Sequence, residues 1–75
     1  MLNKVNVGVL KLHLNELELK VLDLVSEGLT NKEIGFKVFR SSRTIESNRT
    51  SLLLKTSTRN TAALMAFAFR SGILV

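Results

Sequence analysis

The chain has 75 residues, a formal net charge of +5, one His, and neither Cys nor Pro. That is the length of one domain; disulfide staples and thiolate metal sites are excluded, and a lone His13 without clustered carboxylates leaves no metal site and no expected cofactor. The charge is uneven: residues 1–31 set Lys4, Lys11 and Lys20 against Glu16, Glu18, Asp23 and Glu27, whereas residues 32–75 set Lys32, Lys37, Arg40, Arg43, Arg49, Lys55, Arg59 and Arg70 against Glu33 and Glu46 alone. Such a basic portion fits either a polyanion partner or a merely solvated face.

Residues 1–13 carry no helical stripe. Val5, Val7, Val9 and Leu12, interrupted by Gly8, read as an extended arm or linker over residues 1–12, ahead of a domain over 13–75. The first helix opens on Asn15 and Glu18, spaced as a capping box, with Leu14 and Leu19 as a hydrophobic staple. Val21, Leu22, Val25 and Leu29 give it one apolar face. Gly28 stands where a left-handed cap is wanted. The second helix starts at once, with Thr30 as cap, Glu33 completing the box, and Ile34 and Val38 on one face. It ends near Val38 or Phe39. Gly35 in its middle costs about 1 kcal/mol relative to Ala, which a close helix approach can offset. Ser41 or Ser42 caps a third helix that runs to about Thr56. On a helical wheel, Ile45, Asn48, Arg49, Leu52 and Thr56 face the body of the domain. Arg43, Ser47, Thr50 and Leu54, flanked by Glu46, point outward.

The fourth helix lies between Asn60 and Gly72 and has two apolar faces. Leu64, Phe67, Ala68 and Ser71 form one. Ala62, Met65, Ala66 and Phe69 form the other, which a second copy of the chain can cover as an isologous dimer. The longest apolar stretch, Ala62 to Phe69, is far short of the roughly 20 residues that span a bilayer. With no signal peptide visible, a soluble cytoplasmic protein is expected.

The opening Gly28-Leu29-Thr30-Asn31-Lys32-Glu33-Ile34 and the second block Ser41-Ser42-Arg43-Thr44-Ile45, continuing to Asn48-Arg49, resemble the helix-turn-helix signature of the LuxR/NarL (GerE-like) family. The ending, Thr58 to Leu74, is similar to that family's last helix. The resemblance runs from about His13 to Val75, with the helix-turn-helix motif at 31–50. It implies an all-α, four-helix orthogonal bundle, as in response-regulator output domains of two-component systems. Departures are Asn48 for the usual His, Glu16 for Pro, Gly35 for Ala, Phe36 for a charged residue and Thr56 for a core Leu. Gly35 is expected to loosen the second helix slightly, and an exposed Phe36 to mark contact with another domain.

The resemblance implies a transcriptional regulator that inserts helix 42–56 into the major groove of double-stranded DNA. By family position, Glu46, Ser47 and Thr50 are the base readers, with part of the specificity left to DNA shape. Phosphate contacts are expected from Thr30, Asn31, Lys32, Arg43, Thr44, Asn48, Arg49 and Lys55. Glu46 has a second reading as an ordinary exposed helix residue pairing with Thr50 or Arg43. Ser41, Ser42 and Ser47 lack a partnering His and acid, so no enzyme is expected. Family members usually carry this domain behind a receiver or sensor domain; the chain is either an excised domain or a free-standing small regulator. A homodimer on DNA and RNA polymerase are the further partners considered, and no membrane. The rival reading is a protein-interaction module of helix-turn-helix shape without a DNA role, for which Phe36, Leu54 and the second face of the last helix supply apolar surface.

Overall fold

Each helix starts at a polar side chain able to satisfy its free amides. A computed structural model describes residues 13–75 and shows α1 (Glu16–Ser26), α2 (Asn31–Val38), α3 (Ser42–Thr56) and α4 (Thr61–Arg70), with no strand among the described residues. The arm expected over residues 1–12 lies outside them, and His13, read as part of a stretch without helix, is helical in conformation. Asn15 Oδ1 accepts from the Glu18 amide at 2.7 Å, and Glu18 Oε1 accepts from the Asn15 amide at 2.9 Å. Thr30 and Glu33 repeat this reciprocal arrangement for α2. Ser41, rather than Ser42, caps α3, and Asn60 caps α4. Each such cap contributes about 1 kcal/mol.

The helix ends set the turns. Gly28 takes the left-handed conformation at φ +87°, and the Leu29 amide reaches back to the Leu24 carbonyl. The chain thereby reverses directly into α2. Phe39 ends α2 at φ +59° and Ser57 ends α3 at φ +56°. Neither is a glycine, and a side chain in that region meets its own carbonyl at a cost of roughly 1–2 kcal/mol. The α2–α3 turn rests on Gly35, where an added Cβ would lie 2.5 Å from the Arg40 carbonyl oxygen. The glycine expected to loosen α2 is thus the seat on which the turn is docked.

The core is wholly aliphatic: Leu14, Val21, Leu22, Leu24 and Val25 from α1 and its approach, Ile34 from α2, Ile45 and Leu52 from α3, Leu64 and Ala68 from α4. Fully burying each of the large side chains contributes about 1.5–3 kcal/mol before entropy is counted. α3 packs against all three other helices, most extensively against α2. Thr56, standing where an apolar residue was expected, is buried, and its hydroxyl donates to the Leu52 carbonyl at 2.8 Å. On α4, Leu64 and Ala68 are buried and Phe67 and Ser71 half-buried, while Ala62, Ala66 and Phe69 are exposed. Met65, assigned to the outer face, packs partly against the core. None of the described helices is long and apolar enough to cross a membrane.

Phe39 combines left-handed backbone with a nearly fully exposed side chain. Phe39→Gly should therefore raise stability by roughly 1 kcal/mol, read as a higher urea midpoint at unchanged slope. A lower midpoint would show that the ring contributes more than the strain costs.

Candidate nucleic-acid interface

A helix presented to another molecule must be held from behind. α3 has few apolar side chains for that purpose, since Ile45 and Leu52 alone are its buried aliphatic residues. Polar ties supply the rest. From α1, the Glu18 carboxylate is 3% exposed and reaches α3 twice. Ser51 Oγ donates to its Oε2 at 2.9 Å, and Lys55 Nζ lies 2.9 Å from its Oε1. Lys55 also donates to the His13 carbonyl at 3.2 Å. On the other side, the Arg49 guanidinium donates to Asn31 Oδ1 on α2 and to Thr61 Oγ1 on α4, both at 2.9 Å. One arginine thereby links the N-terminal turns of two helices to the middle of α3.

Burial pushes the Glu18 carboxyl up. The hydrogen bonds from Lys55, the Asn15 amide and Ser51, with the Lys55 charge, outweigh that and hold it below the usual glutamate range. Glu18 stays anionic, so the tie to Lys55 is an ion pair that also completes the α1 cap. Spacing identified Glu18 only as a capping residue. Its links to Ser51 and Lys55 cross 33 and 37 positions of the chain. Local periodicity carries no signal over that distance.

The outward face of α3 is as the wheel predicted. Arg43, Glu46, Ser47, Thr50 and Leu54 are all exposed, Leu54 at 76%. The Thr50 hydroxyl donates to the Glu46 carbonyl at 3.2 Å, which uses its proton and leaves its oxygen able to accept. The Glu46 side chain makes neither of the pairs considered for it. Around this stripe lie the residues expected to meet phosphates. Lys32 and Arg43 are exposed, as is Thr30, which is occupied as a cap. Thr44 is half-buried beside its cap partner Ser41. Asn48 is half-buried, and its Oδ1 is buried without a hydrogen-bond partner. Asn31, Arg49 and Lys55 are turned toward one another or toward Glu18. The eight residues thus divide into a free rim and an internally engaged set. Among the described residues, no three His, Cys, Asp or Glu side chains converge as metal ligands do.

Residues 13–68 match the GerE family, described as bacterial regulatory proteins of the luxR family. The chain is 40% identical over 63 residues to the probable transcriptional regulator ycf29 of Porphyra purpurea, covering 84% of this chain and 30% of that protein. It is 41% identical over 64 residues to the response regulator Rre1 of Synechocystis, covering 85% and 28%. It is 33% identical over 61 residues to the oxygen regulatory protein NreC of Staphylococcus aureus, covering 81% and 28%. The chain thus spans less than a third of the length of these relatives. No solved structure matches it significantly.

Glu18 gives the tie behind α3 a pH signature. Its folded carboxyl titrates below its unfolded value, so its stabilisation is fully present above the ordinary glutamate value of about 4.3 and is lost as pH falls through the lower folded value. Urea midpoints should therefore drop on acidification below about pH 4.3. Glu18→Gln should lower stability at neutral pH by about 1–3 kcal/mol and flatten that acid limb. An acid limb of the same steepness in the variant would contradict this assignment.

Proposed function

This chain belongs to the luxR family of bacterial regulatory proteins, and from that premise we propose that it binds double-stranded DNA as part of a transcriptional regulator by inserting α3 into the major groove. The observation that carries this reading is the exposed stripe of Arg43, Glu46, Ser47 and Thr50, on a helix whose other face is tied to α1, α2 and α4. Glu46 accepts from a cytosine amino group, and Ser47 and Thr50 hydrogen-bond base edges or touch a thymine methyl. Shape readout supplies further specificity. An acid in the groove is repelled by phosphates, so Glu46 also disfavours sites that lack a donor for it.

Lys32, Arg43 and Thr44 contact phosphates, aided by the amides of Asn31 and Lys32 in the first turn of α2. Asn48 joins them by donating its amide N–H groups outward while Oδ1 stays inside. Arg49 and Lys55 contribute chiefly by fixing the helix, since both are already paired within the domain. The exposed α4 face of Ala62, Ala66 and Phe69, with the edge of Met65, is the isologous dimer contact. In this reading the regulator acts in the cytoplasm. Receiver or sensor control and contact with RNA polymerase belong to the longer polypeptides of the family, and catalysis to none of these residues. The exposed Phe36 and Leu54 favour a second reading, a protein-interaction module without a DNA role. Absence of duplex binding even at low salt would select it.

Two measurements test the proposal. In fluorescence anisotropy against a labelled duplex over a salt series, Arg43→Ala should weaken binding and lower the slope of log affinity on log salt by about 1. Lys55→Met should leave that slope nearly unchanged, because the Lys55 charge is already matched by Glu18; equal slope losses would return Lys55 to the phosphate set. Phe69→Glu should reduce self-association in sedimentation and weaken operator binding with helix content preserved. Unaltered sedimentation and affinity would remove α4 as the dimer contact.

A further inference from the structure

The two bonds of Arg49 fix where α2 and α4 stand around α3. On the helical wheel Arg49 lies about 60° from Glu46 and about 100° from Thr50, at one border of the outward stripe. Its guanidinium donates to Asn31 and Thr61, the first residues of α2 and α4, both at 2.9 Å. The starts of both helices therefore stand on one flank of α3, beside the edge of the stripe that carries Glu46 and Thr50. Ser51 and Lys55, which Glu18 of α1 engages, lie on the opposite flank.

The turn that leads into α4 carries a cation, Arg59, two positions before Thr61. Arg59 is exposed and forms no ion pair among the described residues; the acids of the neighbouring elements, Glu33 and Glu46, do not pair with it. Beyond Glu46 the sequence holds no Asp or Glu at all. The turn itself is fixed on both sides of Arg59. The Thr58 amide donates to the Leu53 carbonyl at 3.0 Å, the Thr58 and Thr56 hydroxyls are 2.8 Å apart, and Asn60 caps α4. The last turn of α3 has one cation of its own, Lys55, and that is paired with Glu18 at 2.9 Å.

We infer that Arg59 binds a backbone phosphate of the duplex, on the strand that passes the start of α2. The inference rests on the insertion of α3 into the major groove. With the stripe in the groove, the phosphates along its Glu46–Thr50 edge run past the starts of α2 and α4, where Lys32 and Arg59 meet them together. An arginine offers a planar fork that matches phosphate oxygens, and a turn held on both sides orders little further on binding. Arg59 adds affinity and register, and no sequence information of its own.

The test is fluorescence anisotropy against a labelled mixed-sequence duplex over a salt series. Arg59→Gln should weaken binding and lower the slope of log affinity on log salt by about 1. Arg59→Lys should keep the slope, and circular dichroism and urea midpoints should be unchanged in both, since the side chain is exposed. Lys20→Gln removes the same charge from an exposed position about 160° around α1 from Glu18, away from the contact with α3, and should leave the slope as it is. An Arg59→Gln slope equal to that of Lys20→Gln, with Arg43→Ala still lowering it, would overturn the assignment of Arg59 and leave the α3 reading standing. A wild-type chain that does not bind, or an Arg43→Ala slope equal to wild type, would overturn the α3 reading and this inference with it.

Discussion

The buried carboxylate of Glu18 and the guanidinium of Arg49 together determine how α3 is presented. A recognition helix must keep one face free, so it cannot be buried on all sides like an interior helix. Its own aliphatic contribution is Ile45 and Leu52. The remaining rigidity comes from charge-assisted hydrogen bonds, which are directional where apolar packing is not. Glu18 engages Ser51 and Lys55 from α1. Arg49 engages Asn31 and Thr61 at the starts of α2 and α4. Rotation of α3 about its axis would break several of these bonds at once.

This economy explains why residues expected to meet phosphates also hold the fold together. Asn31 sits at the first turn of α2, where a phosphate can also approach, and its side chain is spent on Arg49. Lys55 stands in the last turn of α3, and its ammonium is spent on Glu18 of α1. The division between positioning the helix and contacting the ligand thus runs through a single set of side chains. Of the cations expected to meet phosphates, Lys32 and Arg43 alone are left unpaired and outward, so in the proposed reading one domain offers a small phosphate footprint that a second copy would double.

Much of the architecture was legible in the sequence because it is local. Asn15 with Glu18, Thr30 with Glu33, Ser41 and Asn60 announce helix starts through side chains that act within three residues. The inner and outer faces of α3 followed from helical period alone. The family motif from Gly28 to Arg49 gave the order of the elements and the expected role of α3. What stayed hidden was long-range or backbone-specific. Nothing in the capping-box spacing announces that Glu18 also crosses to Ser51 and Lys55. Phe39 and Ser57 end helices in the left-handed region without the glycine that usually signals it. Gly35 read as a weakness because the carbonyl of Arg40, which rests on it, arrives from a turn whose geometry the sequence does not specify.

The central claim is that the face of α3 carrying Arg43, Glu46, Ser47 and Thr50 meets DNA while the ties behind it hold. Amide chemical-shift mapping of the ¹⁵N-labelled chain on addition of an unlabelled duplex tests it most directly. The account predicts large shifts from Thr30 to Lys32 and from Ser42 to Thr50, with little change at Val21, Leu64 and Phe36. Shifts confined to the residues around the exposed Phe36 or to the outer face of α4, with residues 43–50 unmoved, would contradict it.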